Sequence, residues 1–186
     1  MIAGMSPLII IITSALILIL ILGFWELVLC EGAHLGRKVV VYLYNLTAGR
    51  YDRIKQYDHA WERRLLGDPI INATGSLQEA RLLDVGAGTG RAPSAVFQHQ
   101  SFNHKFYCLE PATRMLEKGR KKTQAWPVEW LRAFAVPLPF PANCFDFVIC
   151  LEMLEFTPNP SQTVSELVRV LRPAGWLLIT NRTSPD

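Results

Sequence analysis

A glycine-rich segment directly after a short apolar run carries the residues best suited to chemistry. The run 82–85 is apolar apart from Asp84, and Gly86, Gly88 and Gly90 follow at alternate positions. This pattern predicts a buried strand that leads into a turn and then a helix. Glycines in such a turn let a bound ligand lie directly against the backbone, because no side chain stands between them. The segment therefore predicts a ligand site with an acid at its edge.

A second acid follows the next apolar run. Glu110 comes directly after the run 105–109 and twenty-four residues after Gly86. A carboxylate at that point can accept hydrogen bonds from both hydroxyl groups of a ribose. The alternative interpretation is that Glu110 only caps a helix that begins near Ala112. Together the two acids and the glycine turn predict a nucleoside-binding site.

The turn differs from the fingerprint of nicotinamide dinucleotide proteins. That fingerprint is Gly-x-Gly-x-x-Gly, and its third glycine allows close packing of helix on sheet. Here Arg91 stands at the third position, directly after Gly90. The bulky side chain argues against a pyrophosphate at the start of the following helix.

Strands alternate with helices from Arg81 onward. Strands that are apolar throughout are typical of a parallel sheet covered on both faces. We therefore predict an α/β fold with a Rossmann-like, doubly wound, mostly parallel sheet. The predicted strands are Arg81–Val85, Lys105–Leu109, Val128–Ala133, Phe145–Leu151 and Trp176–Thr180; the predicted helices are Arg91–Gln100, Ala112–Lys122 and Pro160–Leu171. A further helix is predicted over Tyr51–Leu66, where apolar residues recur every three or four positions.

The chain resembles the class I S-adenosylmethionine-dependent methyltransferases, particularly the branch that contains quinone and small-molecule methylators. The resemblance covers roughly Tyr51 to Arg182 and rests on five segments in the family's order. These segments are Leu82–Gly90, Glu110–Leu116, Leu138–Asp146, Leu151–Glu155 and Glu166–Gly175.

The resemblance implies S-adenosylmethionine as the cofactor and assigns a role to each matching position. Asp84 would hold the cofactor's amino group, Glu110 would bind the ribose, and Leu151 would lie near the reacting sulfonium. The remaining implied contacts are the turn residues Gly86, Ala87, Gly88 and Gly90 against the amino-acid part, and Pro111, Met115, Ala133 and Phe134 around the adenine.

The chain also departs from the family's pattern. Phe134 stands where relatives often have an acid for the adenine amino group, and Phe156 stands where many have a histidine. No catalytic residue is assigned; Glu152 and Glu155 are the candidates for acid or base roles, with helix capping or surface exposure as the alternative. The family continues after strand five with two more strands, so the expected sheet lacks them. The chain is then expected to be a fragment, a naturally shortened form, or one whose exposed sheet edge a partner or the membrane covers.

An uncharged apolar segment lies near the amino terminus. The eighteen residues from Leu8 to Trp25 contain no charge, and a helix of about 20 such residues spans a bilayer. We predict a transmembrane anchor; a signal peptide and a buried core helix are the alternatives. Basic residues follow the segment and none precedes it, which predicts an external amino terminus and a cytoplasmic domain. The predicted units are the anchor at 1–30, a juxtamembrane linker and helix at 31–78, and the cofactor-binding domain at 79–186.

The charge and the residue composition limit the classes of binding partner that we expect. The net charge is only +3, and no basic stripe with interleaved aromatic residues is present, so nucleic acid is not expected. The four cysteines and four histidines show no metal-ligand spacing, so no metal is expected. The predicted function is methyl transfer to a small or lipid-soluble acceptor near the membrane. The alternatives are an inactive membrane-tethered binding or scaffold module of the same fold, and an NAD(P)-dependent reductase.

Overall fold

A computed structural model of the 186-residue chain describes residues 6–98, 102 and 104–180. Predictions that fall on residues 1–5, 99–101, 103 and 181–186 lie outside the described residues. These include the first residues of the anchor, the end of the helix predicted to reach Gln100 and the end of the domain.

Five parallel strands form one sheet in the part of the chain that is described. Their order is β3-β2-β1-β4-β5, so β1 lies between β2 and β4. The strands are β1 (Arg81–Val85), β2 (Lys105–Leu109), β3 (Val128–Leu131), β4 (Phe145–Leu151) and β5 (Leu171–Thr180). Leu82 of β1 pairs with Phe106 of β2 on one side and with Phe147 of β4 on the other. The predicted doubly wound parallel sheet is confirmed.

The alternation of side chains along each strand divides the core between the two faces of the sheet. Leu82, Phe106 and Ile149 contribute to one buried cluster, which also contains residues of the helices that flank the glycine turn. Leu83 and Val148 contribute to a second cluster on the opposite face. Because both faces are covered, all of these strand residues are fully buried.

Eight α-helices are described. They are α1 (Pro7–Phe24), α2 (Arg37–Thr47), α3 (Tyr51–Lys55), α4 (His59–Glu62), α5 (Asp68–Thr74), α6 (Arg91–Phe97), α7 (Thr113–Lys122) and α8 (Pro160–Val170). Ile70 of α5 and Val96 of α6 pack on one face of the sheet, and Leu167 of α8 packs on the other.

The continuous helix predicted over Tyr51–Leu66 is interrupted. Gln56 adopts the left-handed conformation, with φ of 45°, and ends α3. The Asp58 carboxylate then accepts a hydrogen bond from the Trp61 amide at 2.9 Å and so starts α4. Such a side-chain cap satisfies an amide that has no partner within the helix. The break turns Tyr57 inward, while Ile54 remains exposed.

The last strand begins earlier than predicted. The sequence predicts a turn at 172–175 before a strand from Trp176, but β5 starts at Leu171 and passes through an irregularity opposite Phe145–Phe147. Ala174 has a φ of 61° at this point. The guanidinium of Arg172 donates to the Asp146 carboxylate at 2.6 Å, which holds the irregular segment against β4.

The amino-terminal helix is long and apolar enough to cross a membrane. Helix α1 continues through a wider, π-helical turn at Trp25–Leu29, and the combined segment Pro7–Leu29 has a mean hydropathy of 2.9. Its 23 residues are about 35 Å long at helical rise, compared with about 30 Å for the hydrocarbon core. None of the most apolar part of this segment is buried inside the described structure.

Candidate functional site

A cavity of about 520 Å³ lies at the carboxyl ends of the strands. The loops that follow β1, β2, β3 and β4 contribute to its walls. The strand order reverses at β1, and open parallel sheets bind their ligands at such a switch point. The fold therefore places the cavity where a ligand site is expected.

The glycine turn forms one wall of this cavity. Gly86 and Gly88 have φ of 75° and 55°, which residues with a side chain rarely adopt. The amides of Gly86 and Ala87 both donate to the carbonyl oxygen of Leu109 at 2.9 Å, which ties the turn to the end of β2. A Cβ atom added to Gly86 would lie 2.5 Å from Cγ of Met153. Close packing against Met153 and a positive φ therefore both require glycine at position 86.

Asp84 and Glu110 are buried beside this turn. Oε2 of Glu110 accepts from the Gly88 amide at 2.9 Å, and Oε1 accepts from the Ala112 amide at 2.8 Å. Each carboxylate oxygen can accept a further hydrogen bond, so ligand hydroxyls can still bind. Oδ1 of Asp84 is buried and has no hydrogen-bond partner among the described residues. A buried acceptor without a donor is costly, and a bound cationic group would satisfy it.

The burial of these acids changes their protonation. Burial raises the pKa of Asp84 to about 7, and the negative charge of Glu110 adds to the increase, while Arg91 opposes it. Burial likewise raises the pKa of Glu110 to about 7, against the opposing effect of the two backbone hydrogen bonds. A cation bound near Asp84 would favour its ionised form.

Most of the residues that the sequence assigns to the cofactor line this cavity. The lining includes Asp84, Gly86, Ala87, Gly88, Glu110, Pro111, Ala133, Phe134 and Leu151. Gly90 and Met115 do not line it. Gly90 precedes α6 and faces Trp130, and Met115 is fully buried beneath Gly88. Their roles toward a ligand, like those of the lining residues, remain predictions.

The amino-terminal segment supplies a wall that the sequence analysis did not predict. We call this wall the roof; it consists of the cavity-lining residues Arg37, Val40, Val41, Tyr44, Tyr51, Lys55 and Tyr57. Tyr44 packs edge-on against Phe156 at 5.8 Å between ring centroids. The recurrence of tyrosines at 44, 51 and 57 was the available signal, but their partners lie far along the chain.

Asp52 fastens the roof to the glycine turn and to α7. Its Oδ1 accepts from the Thr89 hydroxyl at 2.5 Å, and its Oδ2 lies 3.2 Å from the ammonium groups of both Lys118 and Lys122. Burial raises the pKa of Asp52, but the hydrogen bond from Thr89 and the two lysines outweigh burial, so the pKa is lowered. The carboxylate is therefore ionised at neutral pH.

A second set of ion pairs joins the roof to the loop after β4. Arg91 donates to both oxygens of Glu62, at 2.7 and 2.9 Å, and to Oε1 of Glu152 at 2.9 Å. Lys55 approaches Oε2 of Glu152 at 3.3 Å. The Arg91 guanidinium also lies over the ring of Tyr57, 4.6 Å from its centroid.

The ion pairs of this network affect the protonation of Glu152, which together with Glu155 is a candidate for an acid or base role. Burial raises the pKa of Glu152, but Lys55 and Arg91 outweigh it and lower the pKa overall, so Glu152 is an ionised partner in a network. Glu152 lines the cavity, whereas Glu155 does not. Glu155 belongs to the short 3-10 turn Leu154–Phe156.

Phe134 also has a contact that the sequence did not predict. The Arg37 guanidinium lies over its ring, 4.6 Å from the centroid. An aromatic ring and a guanidinium offer flat surfaces to a nucleobase, though Phe134 provides no side-chain acceptor for an amino group.

The site fits the cofactor that the resemblance implies. The unpartnered Asp84 oxygen matches a cationic amino group, and the remaining acceptor capacity of Glu110 matches ribose hydroxyls. Gly86 and Gly88 line the cavity without a side chain, so the amino-acid part of the cofactor could lie against their backbone.

Comparisons with known proteins point to the same class of protein as the geometry of the site. A profile of the family described as "Methyltransferase domain" matches residues 83–179. The ubiquinone/menaquinone biosynthesis C-methyltransferase UbiE of Ruegeria sp. is 28% identical over 141 residues, which cover 74% of this chain. The match covers 56% of that relative, so the chain spans little more than half of its length.

Solved structures share the fold. A SAM-dependent methyltransferase from Aquifex aeolicus superposes with a TM-score of 0.51 at 21% identity, covering 70% of this chain and 77% of that one. The [4+2]-cyclase SpnF superposes with a TM-score of 0.67 at 22% identity, covering 80% and 62% respectively. At these identities the likeness concerns the fold alone, and a cyclase among such structures illustrates that one fold hosts different reactions.

The profile matches more than half of the chain, and it begins within β1 and ends within β5. The glycine turn, both buried acids and the loops around the cavity all lie inside the matched residues. The chain therefore belongs to the methyltransferase domain family, the class I S-adenosylmethionine-dependent methyltransferases that include the quinone C-methyltransferases.

Proposed function

We propose that the protein methylates a lipid-soluble acceptor of the hydroquinone type, with S-adenosylmethionine as the methyl donor, at a membrane surface. The observation that carries this proposal is the set of residues that line the cavity at the strand ends. Its floor holds the buried acids and the glycine turn, and its roof is rich in aromatic and aliphatic side chains. A quinone-methylating relative supports the acceptor class.

The floor residues would bind and orient the donor. Asp84 would accept from its amino group, and Glu110 would accept from its ribose hydroxyls. When bound, S-adenosylmethionine would supply an electrophilic methyl group: the acceptor's nucleophile would bond to the methyl carbon as the carbon–sulfur bond breaks, S-adenosylhomocysteine would leave, and the acceptor's proton would pass to solvent. Methyl transfer of this kind depends mainly on alignment and exclusion of water.

The roof residues enclose the acceptor. Tyr44 and Tyr51 present phenol rings to the cavity, and Val40 and Val41 add aliphatic surface. Burial, together with the neighbouring Tyr57, raises the pKa of Tyr51 well above its usual value. Tyr51 therefore keeps its proton at neutral pH and does not act as a base.

The amino-terminal helix supports a location at the membrane. Only residues 30–36 separate the apolar helical segment from α2, whose Arg37 and Val40 line the cavity. Seven residues of extended chain reach no more than about 30 Å. An anchor spanning the bilayer would thus keep the roof close to the lipid surface, where lipid-soluble acceptors are concentrated. We place the amino terminus outside and the domain in the cytoplasm, because basic residues follow the helix.

The proposal is tested with the full chain in lipid nanodiscs and a methyl-labelled donor. We expect label to enter a hydroquinone with a prenyl tail, and at least about tenfold less to enter the tail-free hydroquinone at equal concentration in solution, since the tail partitions into lipid. Asp84→Asn should abolish transfer to both. Equal labelling of both acceptors would contradict the lipid-soluble class, and no labelling with intact donor binding would contradict the activity.

The second candidate is a binding module without turnover. The observation that favours it is Phe134, which lies under Arg37 and offers no side-chain acceptor to an adenine amino group. This candidate predicts binding of S-adenosylhomocysteine by calorimetry and no transfer to any acceptor in a membrane extract.

A further inference from the structure

Three side chains with metal-binding atoms converge just beyond the apolar helix. We propose that Glu26, Cys30 and His34 form a binding site for a zinc-type divalent cation. One carboxylate oxygen, the thiol sulfur and a ring nitrogen all lie within 4.8 Å of one another. Carboxylate, thiolate and imidazole are the ligands that zinc prefers, and three such ligands leave a fourth position for water.

Glu26 is unusual where it stands. It is the only ionisable residue in the apolar segment Pro7–Leu29. A charged side chain in such a segment is costly and generally marks a functional site with a defined partner. Its side chain is only 14% exposed, so the carboxylate has little access to water that would offset its charge.

The local backbone is irregular at this point. The segment Trp25–Leu29 forms a π-helical turn, which is rare and occurs frequently at functional sites. The amide of Cys30 donates to the Trp25 carbonyl at 2.9 Å and closes this turn. The wide turn and the Cys30 thiol thus lie beside the Glu26 carboxylate.

A left-handed reversal then returns His34 to the same place. Glu31 and Gly32 have φ of 52° and 77°, and the Gly32 amide donates to the Glu26 carbonyl at 2.9 Å. The His34 amide donates to Oε1 of Glu26 at 3.0 Å, and its Nδ1 lies 2.9 Å from Oε2. Two consecutive left-handed residues, of which only Glu31 is strained, therefore bring the imidazole onto this carboxylate.

The reversal is fixed by packing against α2. A Cβ atom on Gly32 would lie 2.9 Å from Cδ1 of Leu43, so the position is built for glycine. The Tyr44 hydroxyl donates to the Glu31 carboxylate at 2.6 Å. The His34 ring stacks on Trp25 with 5.5 Å between centroids. The three ligands are thus held in place before any metal binds, which lowers the cost of binding.

Charge balance is compatible with a divalent cation here. The metal would displace the proton of the Cys30 thiol into solvent, and the resulting thiolate and the Glu26 carboxylate would together balance two positive charges. The His34 side chain is 65% exposed, so the cluster is open to the aqueous side. A divalent cation would join all three side chains, each of which supplies one ligand atom. Such a site would fix the direction in which the chain leaves the apolar helix.

The test uses the full chain without a histidine tag, purified in detergent, stripped with a chelator and desalted. Zinc titration followed by gel filtration and elemental analysis should give one zinc per chain. Cobalt should give a thiolate-to-cobalt charge-transfer band, because Cys30 is a ligand. Neither readout depends on methyl transfer, so failure here leaves the proposed function untouched.

Single-ligand variants identify the site. Glu26→Gln, Cys30→Ser and His34→Asn should each weaken zinc binding by at least about tenfold, on the scale of lost metal-site partners. Cys30→Ser should also abolish the charge-transfer band. Two substitutions outside the cluster are matched controls: His59→Asn, at an exposed histidine, and Cys144→Ser, at the cysteine directly before β4. Both control variants should retain the zinc affinity and the charge-transfer band of the parent chain. Substoichiometric zinc in the parent chain, or unchanged zinc affinity in all three ligand variants, would overturn the proposal.

Discussion

The carboxylate of Asp52, on the roof helix α3, accepts a hydrogen bond at 2.5 Å from the hydroxyl of Thr89, in the glycine turn. The same carboxylate lies 3.2 Å from Lys118 and Lys122 of α7. One side chain therefore joins the acceptor-side wall of the cavity to the backbone that is proposed to hold the donor. The position of the roof and the shape of the turn are coupled through this contact.

Asp52→Ala should weaken binding of S-adenosylhomocysteine and lower the thermal unfolding temperature. The substitution removes the acceptor for Thr89 and leaves two lysine ammonium groups without their carboxylate. Hydrogen bonds to a charged group contribute about 1.5–3 kcal/mol, and the partial exposure of this cluster places the loss near the lower end of that range. Calorimetry should show affinity reduced roughly tenfold.

Asp68→Ala is the matched control for Asp52. The Asp68 carboxylate pairs with Arg63 at 3.4 Å, and both side chains are 45% exposed. A pair of this kind contributes about 0–1 kcal/mol, so affinity and unfolding temperature should stay close to those of the parent chain. If both variants behaved alike, the coupling between roof and turn would be refuted.

Arg91→Lys should destabilise the protein nearly as much as Arg91→Ala. The guanidinium binds Glu62 with two parallel hydrogen bonds, reaches Glu152 and covers the ring of Tyr57. A lysine ammonium cannot reproduce this planar set of contacts. We expect a loss of about 2–4 kcal/mol in the free energy of unfolding for both variants, measured by denaturant titration.

Arg63→Lys provides the comparison for that result. Arg63 makes one exposed ion pair at its Nε, so a lysine should replace it at a cost within about 0.5 kcal/mol. A parent-like stability of Arg91→Lys would contradict the role given to the planar contacts.

Local patterns sufficed to predict the sheet and the turn. β1 occupies Arg81–Val85 and β4 occupies Phe145–Leu151, as the apolar runs predict, because a fully buried strand needs an unbroken apolar sequence. Gly86 and Gly88 are in the left-handed region that a tight turn after a strand requires. The proximity of Asp84 and Glu110 could also be predicted, because both residues lie at the carboxyl ends of adjacent parallel strands.

The roof and the convergence of Glu26, Cys30 and His34 could not be predicted in this way. The sequence shows Arg91 only as a bulky residue in place of a glycine, since its partners Glu62 and Glu152 lie 29 and 61 residues away. The break at Gln56 depends on a single left-handed residue that no periodicity indicates. His34 reaches Glu26 only through the reversal at Glu31 and Gly32, so spacing alone does not suggest a site.

Gly86→Ala should impair donor binding more than Gly88→Ala. Both positions have positive φ, which costs roughly 1–2 kcal/mol for a residue with a side chain. At Gly86 the new Cβ would also lie 2.5 Å from Cγ of Met153, whereas at Gly88 the nearest side-chain atom is Cε of Met115 at 3.7 Å. Calorimetry with S-adenosylhomocysteine should rank the two variants in that order.

The double variant Gly86→Ala with Met153→Ala separates the clash from the backbone strain. Removal of the Met153 side chain should restore part of the lost affinity, because only the strain then remains. Gly49→Ala should be neutral, since nothing lies within 4 Å of the added Cβ and its φ is not positive. A double variant no better than Gly86→Ala would show that the clash does not determine the effect.

The two buried acids give the protein without ligand a characteristic pH dependence. Burial raises the pKa of Asp84 and of Glu110 to about 7, whereas carboxyl groups in an unfolded chain titrate near 4. Between these values the folded state holds protons that the unfolded state has lost. The stability contributed by the protonated acids is therefore fully present below about pH 4 and is lost as the pH rises through about 7.

Donor binding should show the opposite trend with pH, because a cationic amino group binds the ionised form of Asp84. The affinity for S-adenosylhomocysteine should rise about tenfold from pH 6 to pH 8, as the fraction of ionised Asp84 increases. Calorimetry across this range measures the slope directly. Asp84→Asn should weaken binding and flatten the slope, since an amide does not titrate, while Glu129→Gln, on a half-exposed side chain of β3, should preserve it. A slope that persists in Asp84→Asn would assign the titration to Glu110 instead, because that acid alone would then change its charge in the cavity.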